Sequence, residues 1–448
     1  MKYLLILMAA SLFGTRISTP LFAQEPKQTR EQKVRGDKER VEKEGFWIYN
    51  DLPTAFRKAK QSGKPILVVL RCLPCEECVK LDDDLVDRDP VIRPLLEKFV
   101  CVRVVSTNGL DLSLFQYDTD QSFAAFMLNA DRTIYGRFGT RSHRTEWIGD
   151  VSLPGLAEAL KGALELHATY PAVKESLKGK TGPEPLFARP ELYPTLREKY
   201  KSTIDYSGDV VKSCIHCHQI GDAQRDYYRH RNEPIPEEVL YPYPHPKSIG
   251  LVLDASKRAT VTSVAAESLA SHAGIHAGDQ IVTMNGQPML SMADVQWVLH
   301  SVPADGGTVP ITYRRDEQTM ETSLKLPEGW RRAGDLSWRA SIWGLRRMAT
   351  GGLVLESLDD KERQQFSIPD NAMALRVRYV GQYGEHAAGK QAGFKVDDLI
   401  VSVDDRTDLL TETAFISFAV TEKKVGDVLN AKVRRGDEVL DLKIPMQM

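Results

Sequence analysis

The chain has no excess of charge of either sign. Its 448 residues carry 59 Lys and Arg against 61 Asp and Glu, a net charge of −2. Without a basic surplus to neutralise phosphates, nucleic acid is excluded as the main partner. Cysteine is scarce as well: six occur, at Cys72, Cys75, Cys78, Cys101, Cys214 and Cys217. A disulfide-stapled fold would scatter them along the chain. Five of the six fall into two tight clusters, which points to chemistry rather than stapling. Beyond the N-terminus no run is long and apolar enough to span a bilayer. Hydrolase signatures are missing too, since neither G-x-S-x-G nor H-E-x-x-H occurs.

What is present begins with an address. Residues 1–23 place Lys2 ahead of an apolar stretch and small residues near Ala23, the order of a secretory signal peptide. Gly14–Arg16 interrupts the apolar core, so it is too short to serve as a span. The expectation is an exported, periplasmic protein without a membrane span after signal removal. Residues 24–45 are almost wholly charged and polar and read as a flexible or partly helical linker. The remaining length suits about three domains.

From residue 46 to 170 the pattern alternates. "ILVVL" and "VCVRVV" read as buried strands, "FAAFML-NADR-TIYGRFG" as a hairpin, and "LPGLAEALKGALELHATY" as a closing amphipathic helix. Strands alternating with helices predict an α/β sheet domain. "SGKPILVVL", followed by "RCLPCEECVK", "VRVV" and "FMLNADRTIYGRFG", resembles a periplasmic thioredoxin-like domain.

That resemblance implies a redox pair at a helix N-terminus, where the dipole and free N–H groups favour a thiolate. It assigns Cys75 as nucleophile and Cys78 as resolving thiol, with Cys72 as an accessory sulfur; Cys72/Cys75 is the competing frame. One position departs from the family. Phe123 stands where thioredoxins keep a cis-proline, which favours metal ligation by the three sulfurs. Cu(I) is the soft ion such a trio suits, with His143 a conceivable helper. A buried disulfide with one idle thiol is the structural alternative. Cys101 reads as an apolar filler.

Residues 171–247 are proline-rich around "SCIHCHQIGD". Cys214-Ile-His-Cys217-His218 is the c-type haem attachment signature, with two thioether sulfurs and His218 as proximal iron ligand. Its rival is a zinc site from Cys214, Cys217 and two of His216, His218 and His230.

From 248 to 329 the sequence turns β-rich. "SIGL", the order A-G-x-x-x-G-D-x-I and then N-G-x-P resemble a bacterial PDZ domain. The resemblance implies capture of a peptide or envelope protein by a loop of Ile249, Gly250 and Leu251. "HAAGKQAGFKVDDLIVSVDD" repeats the pattern, so 330–448 reads as a second PDZ-like domain with a Trp-rich lead-in. Asp397 stands there for the usual glycine.

The predicted architecture is multidomain, α/β plus β-rich: a thioredoxin-like domain, an irregular haem-binding segment and two PDZ-like domains. The whole order resembles a family of exported bacterial thioredoxin-like/PDZ fusion proteins, some of them selenoproteins. That resemblance implies an exported thiol–disulfide redox or electron-transfer protein. A non-catalytic periplasmic scaffold or copper-binding protein is the alternative.

Overall fold

The computed structural model describes residues 28–71, 89–121, 123–140 and 151–448. The signal peptide therefore lies outside the described residues, as do Cys72, Cys75, Cys78 and His143.

The first unit is built on a five-stranded sheet in the order β1-β3-β2-β4-β5. Its strands are β1 (Ile48–Tyr49), β2 (Ile66–Arg71), β3 (Val100–Val104), β4 (Phe123–Leu128) and β5 (Ile134–Thr140). Strands β1, β3 and β2 run parallel, and β4 turns antiparallel against β2 before the hairpin to β5. Every residue of β2 is buried, because the sheet is covered on both faces. Leu67 and Val69 point to one face, against Trp47, Leu96, Leu156 and Leu160. Ile66, Val68 and Leu70 point to the other, against Phe115, Tyr193, Ile215 and Ile220. The period-two alternation of a strand makes this division.

The helices of this unit are α1 (Arg30–Glu44), α2 (Leu52–Ser62), α3 (Ile92–Leu96) and α4 (Leu153–Ala168). Residues 30–44 of the stretch read as a flexible or partly helical linker form helix α1. Thr29 and Gln32 close a capping box at its start, and Gly45 ends it in the left-handed conformation. Val34 and Val41 are buried, and Asp37 accepts from buried Arg103 of β3 at 3.0 Å. The charged composition hid two apolar contacts and one buried ion pair that dock the helix. The proline-rich stretch packs on its neighbour, since Tyr193, Ile215 and Ile220 belong to the core under β2.

The second unit contains β6 (Leu251–Leu253) paired with β7 (Val261–Val264), and a sheet in the order β11-β10-β8-β9. That sheet comprises β8 (Gln280–Met284), β9 (Gln287–Pro288), β10 (Gly307–Arg315) and β11 (Gln318–Leu326). Between residues 217 and 300 the chain adds α5 (Cys217–His230) and α6 (Met292–His300). The third unit has α7 (Ile342–Thr350), α8 (Glu412–Glu422) and a sheet running β12-β13-β14-β15-β16. Its strands are β12 (Leu353–Ser357), β13 (Leu375–Val380), β14 (Leu399–Val403), β15 (Val428–Arg435) and β16 (Glu438–Pro445).

Units two and three repeat one device. Asp279 is gripped by both arms of Arg315 at 2.7 and 2.8 Å, and Asp398 by Arg435 at 2.7 Å twice. The residue before each aspartate has positive φ: Gly278 at 93° and Asp397 at 69°. The third unit thus holds a side chain in a conformation that favours glycine.

The units are locked by buried charge. Lys180 and Asp294 of α6 pair at 2.7 Å with no exposure of either side chain. Asp294 also accepts from the Arg137 amide of β5, and Ser291 donates to the Arg137 carbonyl. Arg339, ahead of α7, donates to Asp118 and Asp120 in the loop before β4. Of the lead-in tryptophans, Trp330 is buried but Trp343 lies exposed beside Tyr379.

Candidate functional site

The Cys-Ile-His-Cys-His stretch is fastened to the loop that follows β3. The Thr107 amide and hydroxyl both donate to the Ile215 carbonyl, at 3.1 and 2.9 Å. Asn108 accepts from the Ile215 amide and donates to the Ser213 and Lys201 carbonyls. Asp209 caps a one-turn helix, Val210–Ser213, that leads into Cys214. His216 then closes a capping box with Gln219, so Cys217 is the first residue of α5 and His218 the second. Local polar chemistry, rather than packing alone, fixes where the two cysteines stand.

The two sulfurs differ. Cys214 is buried and donates to the Val210 carbonyl at 3.1 Å. Burial pushes its thiol up to about 11 from the ordinary 9, against a modest opposing pull from the Ser106 hydroxyl. Cys217 is half-buried at a helix N-terminus, and the Tyr117 hydroxyl donates to its sulfur at 3.1 Å. His218 is 44% exposed, with Nδ1 3.4 Å from Asp222. Its ring lies nearly parallel to that of His216, 5.9 Å away.

A small recess of about 10 Å³ joins Cys217 and His216 to Ser106, Thr107, Leu70 and Arg71. Arg71 is the last residue of β2 and is followed in sequence by Cys72. The tertiary structure therefore brings the second cysteine motif to the end of β2. Phe123, the residue expected at the cis-proline position, is buried and pairs with Arg71.

These residues do not fit a porphyrin as they stand. The Cys214 sulfur is turned to the Val210 carbonyl of its own preceding turn and the Cys217 sulfur to Tyr117, while the His218 ring is half in solvent. The space beside them is far smaller than a cofactor cavity of 300 Å³ or more. For zinc, no group of three or more His, Cys, Asp or Glu side chains capable of holding an ion occurs among the described residues.

Comparison with known proteins identifies two of the units. Residues 47–130 match the thioredoxin-like family model. Residues 247–326 match the PDZ domain model. A curated protein of Haemophilus influenzae, named "Probable periplasmic serine protease do/HhoA-like", is 28% identical over 152 residues. That alignment covers 34% of this chain and 28% of the relative. A solved structure titled "HtrA-type protease AlgWS227A with decapeptide" aligns over 31% of this chain and 40% of its own, at 12% identity and a TM-score of 0.20, too low to bear on the fold. The chain is thus a multidomain protein with a thioredoxin-like domain, a PDZ domain and further β-rich structure. No helix among the described residues is long and apolar enough to cross a membrane.

In the PDZ domain, Ile249 and Leu251 are buried and Gly250 takes φ 83°. The Gly250 amide is already spent on the Lys247 carbonyl at 3.0 Å. Helix α6, beside the loop, is buried from Met292 to Leu299. Arg137 of the thioredoxin-like domain lies over the Trp297 ring at 3.9 Å, and Tyr243 stacks on His300 at 4.0 Å. A hollow of about 380 Å³ nearby is lined by Tyr241, His245, Ser248 and Trp338, short of Ile249. In the third unit α7 packs on both α8 and β12. There Arg346 forks onto Glu412, which also accepts from the Leu355 amide of β12.

Sequence reading missed Tyr117, Thr107 and Asn108. None belongs to a motif; each matters only because the chain returns to it about a hundred residues later.

Proposed function

We propose that this chain is an exported thiol–disulfide redox protein that recruits its partner through the PDZ domain. Cys75 is the attacking thiol, Cys78 resolves the mixed disulfide, and Cys72 is an accessory sulfur. The observation that supports this reading is the position of β2. A wholly buried central strand of a thioredoxin-like sheet ends at Arg71 and delivers the three cysteines next in sequence. The substrate class is a disulfide in an envelope protein or peptide. Among the described strands β6 pairs only with β7, so its other edge remains for a ligand strand at Ile249, Gly250 and Leu251.

The test is disulfide exchange with a protein disulfide substrate. Cys75→Ser should abolish it while leaving the melting temperature unchanged, and retained exchange would sink the assignment. Phe123 favours a second reading, a non-catalytic scaffold or Cu(I) protein using the same three sulfurs. Thiol counting against bound copper separates the two. Export rests on the signal-like residues 1–23 and on the periplasmic relative's name; cell fractionation checks it. Electron transfer through haem c on Cys214, Cys217 and His218 has the spacing in its favour and the geometry against it. Sharp reduced α and β bands surviving acid-acetone extraction would decide for haem.

A further inference from the structure

We propose that the hollow of about 380 Å³ beside the PDZ domain binds a small organic carboxylate with an apolar body. The site is independent of the thiol–disulfide reading above.

The hollow lies between two stretches of chain. One, Tyr241–Ser248, leads to the PDZ loop; the other, Arg331–Arg339, leads to α7. No residue of β6, β7 or α6 lines it, so it is separate from the strand edge assigned above to a peptide. Tyr241, Pro244, Leu336 and Trp338 give it apolar walls. Its volume falls in the range of small-molecule sites, about 300–1,000 Å³.

Charge decides what it takes. Arg331 lines the hollow and is wholly buried. Its hydrogen bonds go to the Tyr241, His300 and Val302 carbonyls, at 3.2, 2.7 and 2.5 Å. Two of these carbonyls lie at and just beyond the C-terminal end of α6, where the backbone carries only partial negative charge. No carboxylate among the described residues stands at ion-pairing distance from this guanidinium, and its Nε–H has no acceptor. Arg339, on the same wall, is the contrast: it meets Asp118 at 3.0 Å and Asp120 at 2.9 Å. Burial accordingly holds the Arg331 pKa down at about 10, from the ordinary 12.5, against a weaker pull from Glu238 and Glu237. A buried cation without a full counter-charge is costly, and an entering carboxylate supplies one. The rest of the lining favours the same sign. Lys247 adds a second cation. Asp335 lines the hollow too, but its carboxylate accepts from the Ser337 amide and hydroxyl and from the Thr413 hydroxyl.

The test is isothermal titration calorimetry on the full chain with two acids, 3-phenylpropionate and octanoate, and with the uncharged amide of each. At least one acid should bind about tenfold more tightly than its amide. Equal affinities of acid and amide, or no binding of either acid at millimolar concentration, overturn the proposal. Arg331→Met should weaken the acid about tenfold and leave the amide unchanged. An unchanged affinity for the acid in that variant removes Arg331 as the counter-charge and overturns the assignment. Because Arg331 also closes the end of α6, an Arg331→Met chain that fails to match the native circular dichroism is replaced by Ala333→Trp. That position is exposed and lines the hollow, so the indole fills it without touching the buried bonds. The folded Ala333→Trp chain should bind neither acid; full affinity there places the carboxylate elsewhere and sinks the proposal.

Discussion

The Tyr117 hydroxyl donates a 3.1 Å hydrogen bond to the sulfur of Cys217, a residue one hundred positions further along the chain. Tyr117 is otherwise a core residue, edge-on to Phe126 at 6.0 Å. Tyr117→Phe keeps that packing and removes only the donor. The Cys217 thiolate then loses a bond worth about 1.5 kcal/mol, close to one pKa unit. Alkylation of Cys217 by iodoacetamide at pH 7, followed by peptide mass spectrometry, should slow about tenfold. An unchanged rate would show that the hydroxyl does not tune the sulfur.

Cys214 behaves in the opposite sense. Burial holds its proton until about pH 11, against about 9 when the chain is unfolded. The native state therefore binds this proton more tightly, and stability falls as pH climbs from about 9 towards 11. Cys214→Ala should flatten that part of the stability profile in urea titrations. At pH 8 the native Cys214 should alkylate far more slowly than Cys217.

His300 supplies an acid counterpart. Burial, helped by Arg331, Arg339 and Arg137, lowers its pKa to about 3 from the ordinary 6.5. The neutral ring accepts from the Tyr243 amide at 3.3 Å. Unfolding lets it take up a proton, so stability is lost progressively as pH falls from about 6.5 towards 3. His300→Gln should reduce that acid sensitivity, read as a smaller drop in melting temperature between pH 7 and pH 4.5. An identical drop in both proteins would remove His300 as the cause.

In the third unit the Arg346–Glu412 pair is buried, and Glu412 also satisfies the Leu355 amide. Breaking one side leaves an uncompensated charge, at a cost of about 3–5 kcal/mol. Glu412→Ala should therefore shift the unfolding midpoint of this unit sharply, and Arg346→Met combined with Glu412→Gln should recover much of the loss. If Glu412→Ala is neutral, the contact of α7 with β12 and α8 does not depend on this pair.

Much of the fold was legible from local pattern. "ILVVL" and "VCVRVV" are buried strands because a sheet covered on both faces needs continuous apolar runs. The duplicated turn of the second and third units was visible as Gly-Asp and Asp-Asp ahead of a strand. Helix α1 was less legible, because its docking depends on Val34, Val41 and one ion pair with Arg103, set within a stretch of charge. The cover over α6 was less legible, since it comes from Arg137 of β5 and from Tyr243 of the proline-rich stretch, both distant in sequence.

The sequence by itself determined the cysteine spacings, the helix starts at Asp209 and His216, and the strand that ends at Arg71, since each follows from side chains within a few residues. Only the tertiary structure decided that the Cys214–His218 stretch docks beside Arg71, at the end of β2. Contacts from Thr107, Asn108 and Tyr117 to residues 213–217 cross about a hundred residues of chain, and no local propensity encodes a partner at that separation.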